Sequence, residues 1–286
     1  MQPDAPRTIR ALLTATTPWL AKKGSPSPRL DAELLIGHAL GLRRIALYMD
    51  LDRPLDEGEL ERCRALVKRR GTGEPIAYIT GQKEFWGLTL AVTPAVLIPR
   101  PDTERLVELA LARLPADSDG VVIDVCTGSG CVALALLSAR PQLRVIATDV
   151  SAAALAVAAD NARSPGLAER LTLREGDLLA PCADVRGARL IVANPPYVTH
   201  GSALLEAGVK AFEPSLALYG EGDDALGHHR RIVAAAPPLL ADDGAVLLEI
   251  GTDQGAAAAG LATAALPRVS VERDLDGHDR VVVLQR

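Results

Sequence analysis

From Val121 onward, short apolar runs alternate with stretches of helical periodicity, and this alternation constrains the fold more than any other feature. The run "VVIDV" leads through "CTGSG" into "CVALALLSA", and "RVIATDV" leads into "SAAALAVAADNA". Then come "LTLREGD", "LIVANPPY", a helical stretch near 225–240, "AVLLEIG", an alanine-rich stretch expected to be a helix, and finally "VSVERDL" and "RVVVLQ". Strands separated by helical crossovers lie parallel, and runs that are apolar throughout are buried on both faces. The pattern predicts an α/β fold: a doubly wound, mostly parallel sheet. The last two runs are too close together for a helical crossover, so they are expected to pair antiparallel at an edge.

The chain before this region reads differently. "TIRALLTATTPWL" carries apolar residues at helical spacing, and "SPSPRLDAELLIGHALG" opens at Ser27-Pro28 and stops at Gly41. "LDEGELERCRALVKRRGTG" has acids in its first turn and bases in its last, matching the helix dipole. Residues 75–99 alternate β-branched and aromatic residues around Gly81 and Gly87, as a hairpin would. A helix then opens after Pro101 in "RPDTERLVELALARL". The expected domains are therefore a small helical bundle over 1–74, a β-hairpin linker over 75–100 and the sheet domain over 101–286.

Charge follows the same division. Residues 1–75 carry 13 Lys and Arg against 10 Asp and Glu, whereas the remainder carries 18 against 26. A first module at +3 suits an acidic or RNA-associated partner weakly, and solvated helix faces explain the same excess. The acidic remainder argues against a basic nucleic-acid groove. None of the four cysteines, Cys63, Cys126, Cys131 and Cys182, forms a CxxC pair, so neither a zinc site nor a dithiol site is indicated. "MQPDAPRTIR" lacks the apolar core of a signal peptide, and no apolar run reaches membrane-spanning length. A reduced, cytoplasmic protein is expected.

Ligands of open α/β sheets bind beyond the carboxyl ends of the strands, and three such ends here carry chemistry. In "DVCTGSGCVA", Gly128 and Gly130 allow a tight turn and close approach of a ligand to the backbone. Read as GxGxxA, the stretch also fits a dinucleotide fingerprint, or a plain glycine turn. Asp149, 19 residues after Gly130, ends the second strand where a carboxylate can accept both ribose hydroxyls of an adenosine. A helix cap is the plainer role, but Ser151 is better placed for it. In "GDLL", Asp177 can receive an adenine amino group while Leu178 packs on the ring, although such a pair is otherwise only a turn.

Those ends point to an adenosine-bearing ligand without specifying which. Asn194-Pro195-Pro196-Tyr197, where the run "LIVA" stops, is more informative. An amide or aromatic-amine nitrogen is planar and weakly nucleophilic. Two acceptors that grip its N–H groups help it present its lone pair. Asn194 offers a side-chain carbonyl and a neighbouring backbone carbonyl offers the second. Prolines fix the turn and have no N–H to compete. Tyr197 is expected to pack on the planar target. The motif reads as a clamp for a planar nitrogen rather than as a mere strand stop.

With these residues together, the chain resembles the HemK-type protein-(glutamine-N5) methyltransferases that act on peptide chain release factors. The resemblance rests on "EPIAYITGQKEFWGL", "VTPAVLIPRPDTERLVELAL", "IDVCTGSGCVALAL", "VANPPYV", "FEPSLALYGEGDDALGHHRRI", "LLEIGTDQG" and "DLDGHDRVVV", and covers nearly the whole chain. It implies a class I methyltransferase-like fold, S-adenosylmethionine as cofactor with S-adenosylhomocysteine as product, and methylation of the glutamine in the Gly-Gly-Gln motif of release factors. It assigns Cys126, Thr127, Gly128, Ser129, Gly130, Asp149, Leu178 and Asn194 to the cofactor, beside Asp177 from the reading above. It assigns Asn194, Pro195, Pro196 and Tyr197 to the substrate glutamine. Two departures stand out: the family often has glycine where Cys126 stands and an aromatic residue where Leu178 stands. The sister enzyme that methylates a ribosomal protein is the nearest alternative, and "RPDTE" with "EIGTDQG" favours the release factor.

Asn-Pro-Pro-Tyr also occurs in adenine-N6 methyltransferases of nucleic acids. A non-catalytic adenosine-binding protein and a nicotinamide dehydrogenase are further readings. A sulfonium carries its own leaving group, so no metal and no dedicated base are expected. Arg100 and Glu104 are expected to brace the hairpin, Cys126 and Cys131 to be packing residues, His228 and His229 to lie on an exposed helix face, and residues 200–222 to form a long loop able to act as a lid.

Overall fold

The computed structural model describes residues 8–163, 165–202 and 207–286. Five helices come first: α1 (Ile9–Lys22), α2 (Pro28–Leu40), α3 (Arg44–Met49), α4 (Glu57–Arg70) and α5 (Ile76–Thr80). A hairpin of β1 (Gln82–Phe85) and β2 (Leu88–Ala91) precedes α6 (Glu104–Arg113). The alternating region contains β3 (Val121–Val125), α7 (Cys131–Ala139), β4 (Arg144–Asp149), α8 (Ala152–Arg163), β5 (Leu171–Glu175) and β6 (Ala188–Ala193). It continues with α9 (Ala207–Phe212), α10 (Gly227–Ala235), β7 (Leu240–Glu249), α11 (Gly255–Ala259), β8 (Arg268–Arg273) and β9 (Asp279–Gln285).

The chain forms two compact units: residues 1–81 with 205–212, and the rest. In the helical unit, the start and stop signals act as their chemistry demands. Pro28 sits in the first turn of α2 and Gly41 ends it in the left-handed conformation. Asp56 accepts the Glu59 amide at 2.7 Å and Glu59 accepts the Asp56 amide at 3.2 Å, a complete capping box on α4. Ile9, Leu20, Leu35, Ile36, Leu47 and Cys63 are fully buried between the helices. Burial works to raise the Glu33 carboxyl, but hydrogen bonds from Tyr48, Arg29 and Arg44 overcome it and hold the group down at about 2.

Residues 76–80, expected in the hairpin, form α5 instead, because Ile79 turns into the helical core and Gly81 (φ 74°) ends the helix. The segment α9 also belongs here: a Cβ on Gly208 would lie 2.9 Å from the Gly73 carbonyl oxygen, and one on Gly73 would meet the Phe212 ring at 3.9 Å.

The second unit is the expected sheet, in the order β5-β4-β3-β6-β7-β9-β8. Strands β3 to β7 are parallel, and β9 runs antiparallel to both β7 and β8. Successive strand residues point to opposite faces. Val122, Val145, Leu190, Val192 and Leu247 bury one face with α6 and α7. Ile123, Ile191, Val246, Leu248 and Val282 bury the other, packed with Ile232, Val233 and Ala258 of α10 and α11. The alanine-rich helix is far shorter than expected. It stops after Ala259, since Leu261 and Leu266 are drawn into the core and Pro267 follows. The strand order reverses between β3 and β6, which locates a ligand crevice at their carboxyl ends. No helix among the described residues is long and apolar enough to cross a membrane.

Candidate active site

At that crevice lies a cavity of about 270 Å³. The glycine loop after β3 forms one wall. Gly128 (φ 55°) and Gly130 (φ 81°) take left-handed conformations, and a Cβ on Gly130 would press within 3.2 Å of Ala158. Cys126 is also left-handed (φ 58°), so the position whose family preference is glycine is one where glycine relieves backbone strain. The loop is tied down by Asp124, whose Oδ2 accepts the Thr127 hydroxyl at 2.6 Å and the Ala133 amide at 3.3 Å. Burial pushes the Asp124 carboxyl up to about 7.

Asp149 closes the adjoining wall. Its Oδ2 accepts the Gly128 amide and its Oδ1 the Ser151 amide, each at 2.9 Å. Burial raises its pKa, and these amides pull it back. Ser151 Oγ accepts the Ala154 amide at 3.2 Å, the expected cap of α8. Leu178 lines the cavity, its carbonyl held by the Thr148 hydroxyl at 2.8 Å. Val150, 54% exposed, lines the cavity too. Asp177 lines it as well, with Oδ2 engaged by Arg231. Ser129 lines the same cavity, and its buried hydroxyl has no oxygen or nitrogen partner among the described residues.

Asn194 follows β6 directly. Its Nδ2 donates to Thr103 Oγ1 at 3.1 Å, so the amide is oriented by the start of α6. Asn194 and Pro196 line the cavity; Pro195, Tyr197 and Gly130 are not among its lining residues. The Tyr197 hydroxyl donates to Glu249 Oε1 at 3.0 Å, so the tyrosine is held toward the end of β7. The turn is held further by backbone bonds from Val198 to the Leu218 carbonyl (2.9 Å) and from Gly220 to the Val198 carbonyl (3.0 Å).

Of the remaining expectations some hold and others are corrected. Glu104 braces the hairpin: its Oε1 accepts the amide of Trp86, a left-handed residue (φ 51°) in the tight turn. Arg100 does not. It pairs with buried Glu213 at 2.5 Å, whose other oxygen takes the Ile98 amide at 3.1 Å. His229 is fully buried, not exposed, with Nε2 2.8 Å from the Glu249 carbonyl oxygen, and burial lowers its pKa to about 4. His228 is half-buried and lines the cavity. Burial pushes the Cys126 thiol up and that of Cys131 up to about 12, so both are inert packing groups. Of the 200–222 loop, residues 203–206 lie outside the described residues, while Pro214, Leu216 and Ala217 line the cavity. Four residues that sequence reasoning missed, Asp124, Thr103, Asn161 and Glu249, hold these walls together. Asn161 Nδ2 donates to the Ser129 and Ala91 carbonyls at 2.9 and 3.0 Å, linking the glycine loop to the hairpin.

Comparison with known proteins agrees with this layout. The family model of the PrmC N-terminal domain matches residues 11–81, and that of the methyltransferase small domain matches residues 104–223. The chain is 43% identical to the release factor glutamine methyltransferase of Geobacter sulfurreducens over 277 residues, covering 96% of this chain and 95% of that one. It is 44% identical to the enzyme of the same name from Moorella thermoacetica, covering 98% of this chain and 99% of that one. A solved structure of a T. thermophilus 16S rRNA N2 methyltransferase, in complex with AdoMet and guanosine, has a TM-score of 0.53 at 16% identity. That match covers 72% of this chain and 49% of the other, and it is a likeness of fold.

Proposed function

Because the chain belongs to the family of release factor glutamine methyltransferases, we propose that it methylates the side-chain nitrogen N5 of the glutamine in the Gly-Gly-Gln motif of a peptide chain release factor, using S-adenosylmethionine. The observation that carries this reading is the meeting of Asn194 with Asp149, Leu178 and the glycine loop around one cavity. A planar nitrogen and an adenosine-bearing cofactor are thereby served together.

The residues fit the cofactor. The buried Ser129 hydroxyl, with no oxygen or nitrogen partner among the described residues, is a donor and acceptor suited to a polar ligand. Exposed Val150 and the Leu178 side chain supply apolar surface for a purine. Asp149 takes the ribose hydroxyls on the lone pairs its two backbone donors leave over, and Asp177 takes the adenine amino group. Cys126, Thr127, Gly128, Ser129 and Gly130 form the loop that wraps the ligand, with Gly130 acting through the loop's path. When bound, the cofactor supplies an electrophilic methyl group on a sulfonium.

The chain's own residues then position the acceptor. Nδ2 of Asn194 is committed to Thr103, which leaves Oδ1 for one N–H of the substrate amide. The backbone carbonyl of the Pro195-Pro196 turn takes the other. As the nitrogen becomes positive these acceptors strengthen, which is where rate enhancement arises. Tyr197, anchored through its hydroxyl to Glu249, borders the substrate rather than moving onto it. The helical unit, less acidic than the rest, orients the protein substrate.

The test is direct. The protein is incubated with labelled S-adenosylmethionine and purified release factors, ribosomal proteins or DNA, and the methyl group is located by mass spectrometry. Label on the Gly-Gly-Gln glutamine supports the reading. Label on a ribosomal-protein glutamine or on adenine replaces it with the corresponding alternative.

A further inference from the structure

Asn194 can serve as an acceptor only while its oxygen, not its nitrogen, faces the substrate. We propose that Glu249 is the positioning residue that decides this, its ionised carboxylate acting through Thr103 to set which end of the Asn194 amide faces the substrate nitrogen. The inference rests on the clamp reading above.

Glu249 ends β7, the strand beside β6, and is fully buried. Its Oε1 accepts the Tyr197 hydroxyl at 3.0 Å. Its Oε2 is buried with no hydrogen-bond partner among the described residues, and the nearby Thr103 hydroxyl favours the charged form of the carboxyl. Thr103 is 1% exposed and accepts Asn194 Nδ2 at 3.1 Å. The other groups around the carboxyl are Asp102 beside Thr103, Cys131 of α7, and Arg280 of β9, which shares its charge with Asp102 and Asp274 at 3.1 Å each. His229 of α10 meets its backbone carbonyl and is neutral above about 4. Burial dominates this balance: it pushes Glu249 up to about 7 against Thr103, Tyr197 and Arg280, with Asp102 adding to the rise.

A threonine hydroxyl has one proton, so it can donate in only one direction. When Glu249 is ionised, the Thr103 proton turns toward the carboxylate, which leaves a Thr103 lone pair for Asn194 Nδ2, and it is this second bond that the structure contains, at 3.1 Å. When Glu249 is protonated, its own O–H donates to Thr103, whose proton then turns to Asn194 and calls for Oδ1 there. The amide reverses and presents N–H groups to the N–H groups of the substrate. Activity therefore falls as pH drops through the Glu249 titration, while cofactor binding, which depends on Asp149, is retained.

The experiment measures kcat from about pH 5.5 to 9 for the wild type, Thr103→Val, Glu249→Gln and, in parallel, Asn194→Ala, with cofactor Kd by calorimetry. The wild type is expected to lose activity on the acid side with an apparent pKa near 7. Thr103→Val breaks the relay while keeping the Glu249 carboxyl group itself. Its kcat near pH 8 should fall by about tenfold or more, its acid limb should vanish, and its cofactor Kd should stay within about threefold. Glu249→Gln has no proton to gain, so it should lose the limb too. An acid limb that persists in Thr103→Val or Glu249→Gln, as titration of Asp124 would produce, overturns the proposal. So does wild-type kcat in Thr103→Val. If Asn194→Ala is slow while Thr103→Val keeps rate and limb, the relay alone fails; if Asn194→Ala is as fast as wild type, the clamp itself fails.

Discussion

Asp149 Oδ2 accepts the Gly128 amide at 2.9 Å, joining the end of β4 to the loop that follows β3. One carboxylate thus shapes the loop and lines the cavity. Asp149→Ala removes both effects, and cofactor affinity should weaken by about 2–3 kcal/mol, the scale of hydrogen bonds to a charged group. Isothermal calorimetry checks this; unaltered affinity in a folded variant would remove Asp149 from the cofactor site.

Asn194→Ala tests the clamp. Methyl transfer should fall by roughly 10²–10³ in kcat, as for loss of one preorganised electrostatic partner. Cofactor affinity should fall less, by about tenfold or below, because Asp149 and the glycine loop remain. Asn194→Asp keeps an acceptor but loses the donor that Thr103 receives, so its rate should lie between wild type and alanine. Single-turnover rates with release factor decide the matter.

Asp124 sets a pH dependence of stability. Its folded pKa, about 7, lies above the ordinary carboxylate value, so the folded state binds this proton more tightly than the unfolded state. That contribution is complete below the unfolded pKa of about 4 and is lost as pH rises through about 7. Asp124→Asn keeps the shape and cannot ionise. Its melting temperature relative to wild type should rise between pH 5 and 8, by roughly 2–4 °C for each kcal/mol in a chain of this size. A pH-independent difference would contradict the assignment.

Gly220 bears on the turn below Asn194. A Cβ there would lie 2.1 Å from the Ala225 carbonyl oxygen, and the Gly220 amide holds the Val198 carbonyl. Gly220→Ala should destabilise the protein by about 1–3 kcal/mol, the usual scale of overpacking, and slow methyl transfer as Asn194-Pro195-Pro196-Tyr197 shifts. Urea unfolding with parallel activity assays measures both.

The strand and helix alternation after Val121 and the helix boundaries at Ser27-Pro28 and Gly41 were legible because their signals are local. The same holds for Asp149, Leu178 and Asn194, since a parallel strand's carboxyl end is fixed by the strand itself. Helix α3 and the helix at 76–80 were not legible: both are short, and tertiary burial of Leu47 and Ile79 decides them. The supporting partners escaped for a related reason. Thr103 and Asn194 are separated by 91 residues, and Tyr197 and Glu249 by 52. Neither pairing leaves a periodic trace. His229 looked like a surface residue because its neighbours His228, Arg230 and Arg231 are polar, yet its ring meets a strand-end carbonyl.

The packing of α9 beside Gly73 has a consequence for synthesis. The helical unit is completed by a segment that lies about 125 residues beyond Gly81 in the chain. At ordinary translation speeds that is a delay of roughly 6–25 s. The nascent first unit therefore remains unfinished until β3, β4, β5 and β6 have all been made. The two units mature in an interleaved order on the ribosome, and a fragment ending at Gly81 would leave bare the surface around Gly73 that α9 covers.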